Sequence, residues 1–143
     1  MTGVQTCALP ISGSQKPYLT SAVACLPDLH YVGAAAGTEC LPFYRYDESG
    51  NRHDNITDWG LKQFCEHYEK RAPSPQPSPP GRGSKTATTK ITKEAIFHYC
   101  YAVLHDPVYR EKYALNLKRE FPRIPFYGDA VVDFERWAAW GRR

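Results

Sequence analysis

The sequence predicts an α+β fold, with a small antiparallel β region followed by a mainly helical C-terminal part. Three observations carry that prediction. Short runs rich in β-branched and aromatic residues, punctuated by Pro and Gly, fill residues 16–46. Apolar residues recur at helical spacing, with capping residues at the right ends, across 91–121 and again across 131–143. Between these regions, residues 72–90 are rich in Pro, Ser and Gly and have no apolar periodicity. The expected organisation is therefore an artefactual or disordered tail (1–15), a β-rich segment with one helix (16–71), a disordered linker or insertion (72–90) and a helical part (91–143).

Taken in order, residues 18–26, 29–32 and 39–46 read as strands of a small sheet or meander, separated by Pro27-Asp28 and the Gly/Ala run 33–37. Residues 47–51, DESGN, supply a turn. Thr57-Asp58 starts a helix that runs to about Tyr68. Gly60 inside it costs roughly 1 kcal/mol relative to Ala, so a ragged first turn is expected. Five prolines within residues 73–80 give the linker a polyproline-II character.

Thr92 then caps the most sharply patterned helix. On a wheel of about 100° per residue, Ile96, Cys100, Val103 and Leu104 form one apolar stripe flanked by Phe97 and Tyr99, while His98 and His105 lie opposite. Asp106-Pro107 supplies the next cap and first-turn proline. Tyr109, Tyr113 and Leu117 follow at i, i+4, i+8 as a buried seam, and Phe121-Pro122 ends the helix. The last segment, 131–143, places Val131, Phe134 and Ala138 on one face with Trp137 and Trp140 beside it. That is more aromatic surface than so short a chain needs to hide, which predicts a partner outside it.

At 143 residues the chain suffices for one modest core. Its 42% hydrophobic and 23% charged residues exclude a disordered or membrane-embedded class. No apolar run reaches the roughly 18 residues that a spanning helix needs. Five cysteines, at 7, 25, 40, 65 and 100, include no CxxC pair, which points to reduced thiols in a cytoplasmic protein.

The net charge of +3 is unevenly distributed: residues 1–106 hold ten basic and ten acidic side chains, whereas 107–143 hold eight and five. A basic C-terminal third suits phosphate contact, and a solvated helical face accounts for the same surplus.

Catalytic and metal-binding patterns are weak. Cys65, His67, His98 and Cys100 are zinc-ligand types, but their C-x-H and H-x-C spacings are not those of zinc pairs, and His98 and Cys100 point apart on the wheel. The same geometry denies Cys100 a neighbouring base. Asp47-Glu48 sits in a hydrated turn, and Asp54 and Asp58 serve local turn and helix-start roles. GRG in the linker lacks the strand and Lys-Ser/Thr ending of a phosphate loop. The adenine-methyltransferase signature Asn/Asp-Pro-Pro-Tyr/Phe is absent, as is a glycine motif for S-adenosylmethionine. No catalytic, cofactor-binding or metal residue is assigned. Arg110, Lys112, Lys118, Arg119 and Arg123 remain as candidate DNA contacts, since Lys and Arg neutralise phosphates and Arg also reads guanine edges. Arg123, held by the FPRIPF turn, has capping of the preceding helix as its alternative role.

The wording of several blocks carries a resemblance. LPDLHYVG, CLPFYRYDE, NRHDNITDWGLKQFCEHY, ITKEAIFHYCYAVLHDPVYREKYALNLKREFPRIPF and the final WAAWGRR occur in the order found in type ISP restriction-modification enzymes. These are large bacterial single-chain proteins that combine a translocase, an adenine-specific DNA methyltransferase and a DNA-recognition region. The resemblance implies that residues 17–143 form the junction with the C-terminal specificity (target-recognition) region and help hold double-stranded DNA while an adenine is flipped. It also implies that S-adenosylmethionine, and ATP with Mg, bind to other parts of the full-length parent and not to this fragment. Residues 1–12 resemble a translated sequencing adapter and are expected to lie outside the fold. Two alternatives stand beside this reading: a helical protein-interaction module, and a non-functional chimeric gene fragment.

Overall fold

The computed structural model describes residues 18–24, 27, 40–69 and 91–143 in full and residues 5–9 as backbone. The expected linker 72–90 and the run 29–32 lie outside the described residues. The architecture is α+β, as the sequence predicts. Strands β1 (Gln5–Leu9), β2 (Leu19–Val23) and β3 (Cys40–Pro42) form an antiparallel sheet of order β2-β1-β3. A hairpin of β4 (Tyr44–Tyr46) and β5 (Arg52–Asp54) follows. Helices α1 (Asp58–Tyr68), α2 (Lys93–His105), α3 (Pro107–Lys112) and α4 (Val131–Gly141) complete the described elements.

Strand β1 corrects one expectation. Residues 5–9 do not form a disordered tail; they are the middle strand, with Gln5 opposite Val23 and Pro42 and Leu9 opposite Leu19. Two strand edges that do not pair with each other need an extended segment between them. Backbone groups meet that need whatever side chains the segment carries.

The hairpin turn is set by Asp47. Its carboxylate accepts from the Asn51 backbone N–H at 2.8 Å and the Asn51 side-chain amide at 3.0 Å, and lies 3.0 Å from His53 Nε2. Gly50 takes the left-handed conformation, φ +80°, that this turn requires. His53 and Asn51 together hold the Asp47 carboxyl down to about 2. A carboxylate depressed in the folded state stabilises it above the ordinary range of 3–4, and that contribution is lost as pH falls through the depressed value. The hairpin is therefore expected to stay closed down to about pH 2–3 in an NMR titration, and Asp47→Asn is expected to open it at all pH values.

Helix α1 starts where the Thr57 hydroxyl accepts from Gly60 N–H at 3.1 Å. The first turn is intact, not ragged, because the donor being capped is that of Gly60 itself. Helix α2 is capped in the same way, Thr92 accepting from Ala95 N–H at 3.1 Å. Lys93 joins three elements, with Nζ 2.7 Å from Asp58 Oδ1 and 3.4 Å from Asp54 Oδ2. Asp54 and Asp58 thus do more than shape their own turns.

The core lies between α1, α2 and α4. Phe134 and Ala138 of α4 are buried, and Phe134 lies 5.4 Å from the rings of both Tyr68 and Tyr99. Trp137 stacks on Tyr127 at 4.7 Å. The aromatic face of α4 was expected to need a partner outside the chain. It is met from within, except at Trp140, which remains 51% exposed. His98, on the side opposite the apolar stripe, nevertheless keeps only 18% side-chain exposure. The close approach of α4 shows at Gly141, where a Cβ would sit 1.8 Å from the His98 carbonyl oxygen. Gly141→Ala is expected to cost about 1–3 kcal/mol by overpacking, read as a fall in the urea midpoint.

Candidate nucleic-acid interface

The region 106–127 begins at the corner between α2 and α3. The Asp106 carboxylate accepts from Val108 and Tyr109 N–H, both at 3.2 Å, and Pro107 opens the helix. Helix α3 is shorter than the expected run to Phe121. It ends at Lys112, and Tyr113 leaves the helical region at ψ 18°. Shorter-range bonds then tighten the coil, Ala114 N–H to Glu111 O at 3.4 Å and Arg119 N–H to Asn116 O at 2.9 Å. Two α-type bonds survive, Leu117 N–H to Tyr113 O at 2.9 Å and Glu120 N–H to Asn116 O at 2.8 Å. The i, i+4 spacing therefore holds long enough to bury both Tyr109 and Leu117.

Extended residues 122–127 follow, fixed by three tyrosines from three helices. Tyr109 of α3 donates to the Arg123 carbonyl at 2.9 Å, and Tyr99 of α2 donates to that of Pro125 at 2.8 Å. The Tyr68 hydroxyl of α1 lies 3.1 Å from the Tyr127 carbonyl and 3.0 Å from the Tyr99 hydroxyl. Tyr99 also accepts from Tyr127 N–H at 2.7 Å. Carbonyls 123, 125 and 127 thus face the helices in strand-like alternation. Burial raises the pKa of all three phenols, that of Tyr109 to about 12, so they stay protonated and able to donate. Beyond them His67 stacks on Phe126 at 4.5 Å and bonds to the Gly128 carbonyl at 3.0 Å.

The five candidate cations fall into two groups. Arg110 turns inward: its guanidinium donates to the Tyr18 carbonyl and lies 5.9 Å from that ring. His105 does the same one step along β2, with Nε2 3.1 Å from the Thr20 carbonyl. Together they fasten β2 to the α2–α3 corner. Lys112, Lys118, Arg119 and Arg123 are exposed. Lys112 Nζ sits 5.3 Å from the Tyr113 ring centre. Arg123 does not cap the preceding helix; its side chain is 91% exposed, 3.5 Å from Glu120. Its own backbone carbonyl is the one that Tyr109 holds.

Between the coil and the extended segment lies a cleft of about 410 Å³, lined by Tyr109, Tyr113, Asn116, Glu120, Phe121 and Arg123 among others. The tyrosine clamp and this cleft escaped sequence reasoning. The available signal was three tyrosines on buried helical faces ahead of a Pro-interrupted segment, and it does not name their acceptors.

Elsewhere, burial pushes the Cys100 thiol up to about 12, which keeps it protonated at neutral pH and unsuited to nucleophilic attack. Among the described residues no group of three or more His, Cys, Asp or Glu is placed to hold a metal, and no helix is long and apolar enough to cross a membrane.

The family model for the Type ISP C-terminal specificity domain matches residues 5–143. Among solved structures, the chain is similar to part of the DrdV–DNA complex determined by cryo-electron microscopy, with a TM-score of 0.74 and 48% identity. That match covers 98% of this chain and 11% of the DrdV chain. It is also similar in fold to a nuclease-deletion mutant of the Type ISP restriction-modification enzyme LlaGI in complex with a DNA substrate mimic. There the TM-score is 0.62 and identity 23%, with 99% of this chain and 10% of that one covered. The chain thus spans about a tenth of the length of these two proteins. No curated protein matches it. On the match of the family model over nearly its full length, the chain belongs to the Type ISP C-terminal specificity domain family.

Proposed function

We propose that this chain is the DNA-contacting start of the specificity region of a larger adenine-specific methyltransferase and restriction enzyme, with Lys112, Lys118, Arg119 and Arg123 facing the duplex phosphates. The observation that carries this reading is the placement of Arg123: a nearly fully exposed guanidinium on a backbone whose carbonyl Tyr109 holds. A cation on a fixed backbone loses little entropy on meeting a phosphate or a guanine edge. Arg110 acts in this reading by positioning, since it fastens β2 to the corner. The chain holds the duplex while an adenine is flipped into a methyltransferase pocket elsewhere in the parent. S-adenosylmethionine, and ATP with Mg, belong to those other regions, and the setting is the bacterial cytoplasm.

Gel-shift titration with duplex DNA tests this directly. Four phosphate contacts give a slope of log K against log salt of about −3.6. Arg123→Ala is expected to reduce that slope by about 1, with no change in melting temperature. Binding that ignores salt would refute the phosphate contacts. It would favour a second reading, docking against other domains of a longer parent, which Trp59 and Leu115 at 72% exposure and Val108 at 70% support.

A further inference from the structure

The cleft beside α3 has features that phosphate contact leaves unused. At about 410 Å³ it falls within the usual range for small-molecule sites, roughly 300–1,000 Å³. One wall is aromatic, with Tyr113 and Phe121, the latter 57% exposed. The polar lining includes the Asn116 amide and the Glu120 carboxylate beside Arg123. Arg123 is the one cation that lines it, and Lys112 lies 5.3 Å from the ring centre of the lining residue Tyr113. Apolar stacking surface, a hydrogen-bonding amide and carboxylate, and one lining arginine match a nucleotide better than an aliphatic side chain or a bare anion. The acidic group narrows the choice. A carboxylate repels phosphate inside the cleft and can only accept, which suits the N–H donors of a base edge, and Asn pairs with an amine next to a ring-nitrogen acceptor.

We infer that this cleft receives an unstacked nucleobase bearing an exocyclic amine beside a ring-nitrogen acceptor (adenine, cytosine or guanine, not thymine), with its phosphate directed to Arg123. The inference deepens the DNA reading and rests on it for the source of the base. Glu120 and Asn116 accept from the amine, Asn116 Nδ2 donates to the adjacent ring nitrogen, and Tyr113 or Phe121 stacks on the base.

The test uses the whole chain, titrated separately with dAMP, dCMP, dGMP, dTMP and inorganic phosphate and followed by NMR at the backbone amides of Tyr113, Phe121 and Arg123. The expected result is binding of dAMP, dCMP and dGMP about tenfold or more tighter than dTMP or phosphate, a discrimination in line with one good base contact. It should be lost in Asn116→Ala/Glu120→Ala. Both side chains are exposed, so the melting temperature of the double variant should match that of the parent chain. Equal affinity for dTMP or for phosphate alone would overturn the inference, because charge would then explain all binding. Absence of any nucleotide shift would overturn it as well. Duplex gel shift separates the two readings. A salt-dependent shift without nucleotide selectivity sinks the cleft and leaves the DNA contact standing. Nucleotide selectivity without a duplex shift does the reverse.

Discussion

Replacing Tyr99 with phenylalanine is expected to destabilise the fold by about 2–4 kcal/mol, because one hydroxyl serves several buried groups at once. It donates to the Pro125 carbonyl, accepts from Tyr127 N–H and lies 3.0 Å from the Tyr68 hydroxyl. The ring itself is fully buried, so phenylalanine retains the packing and the loss is confined to hydrogen bonds. The orphaned amide and carbonyl belong to half-buried residues, and each group left unsatisfied costs about 1–3 kcal/mol. Tyr68 recovers part of this by directing its proton wholly to the Tyr127 carbonyl. Urea unfolding measures the loss, with Tyr46→Phe as a control, since Tyr46 is 55% exposed. A cost under about 1 kcal/mol would mean that the clamp does not fix residues 122–127. The same variant should weaken duplex binding more than it lowers the salt slope, because the cations remain while the Arg123 backbone loosens.

Phe134→Ala is expected to cost more, about 3–5 kcal/mol. Phe134 is 2% exposed and stands where α4 meets α1 and α2. Its ring is 5.8 Å from Phe64 edge-on, 5.4 Å from Tyr68, and stacked on Tyr99 at 5.4 Å and 16°. Truncation therefore removes transfer energy and leaves a cavity whose walls are held by the tyrosine hydrogen bonds and cannot collapse. For a domain of this size that is a large share of total stability, typically about 5–15 kcal/mol. The variant should melt well below the parent chain. Val132→Ala, two residues away and 56% exposed, should stay within about 0.5 kcal/mol. Comparable losses at the two positions would place α4 outside the core.

Much of the helical architecture was legible in the chain itself. Thr57, Thr92 and Asp106 cap the helices that their positions predict, and each uses its side-chain oxygen on the backbone N–H two or three residues ahead. Such contacts are local, so a few consecutive residues suffice to specify them. The apolar stripe of α2 was likewise readable, with Ile96, Val103 and Leu104 buried as the wheel requires. The later boundary of α3 was not, because the i, i+4 pattern of Tyr109, Tyr113 and Leu117 persists through a coil that is no longer a regular helix. Periodicity reports which side chains are buried, not how each backbone bond closes.

The candidate site shows the same division. Sequence named the cations, but their charge says nothing of direction. Arg110 and Lys112 are two residues apart, yet one is drawn to the Tyr18 carbonyl while the other stays exposed. The place of β1 was equally unreadable, since strand pairing rests on backbone groups common to every residue.

By itself, then, the sequence determined the α+β class, the helix starts and the membership marked by its ordered blocks, because these depend on neighbours along the chain. Only the tertiary structure decided that tyrosines 68, 99 and 109 grip carbonyls up to 59 residues away. It also decided that Gly141 must lie against His98 and that a cleft opens beside Arg123. Those outcomes depend on which distant surfaces meet, and a hydroxyl on a helix face carries no record of its acceptor until the chain has folded around it.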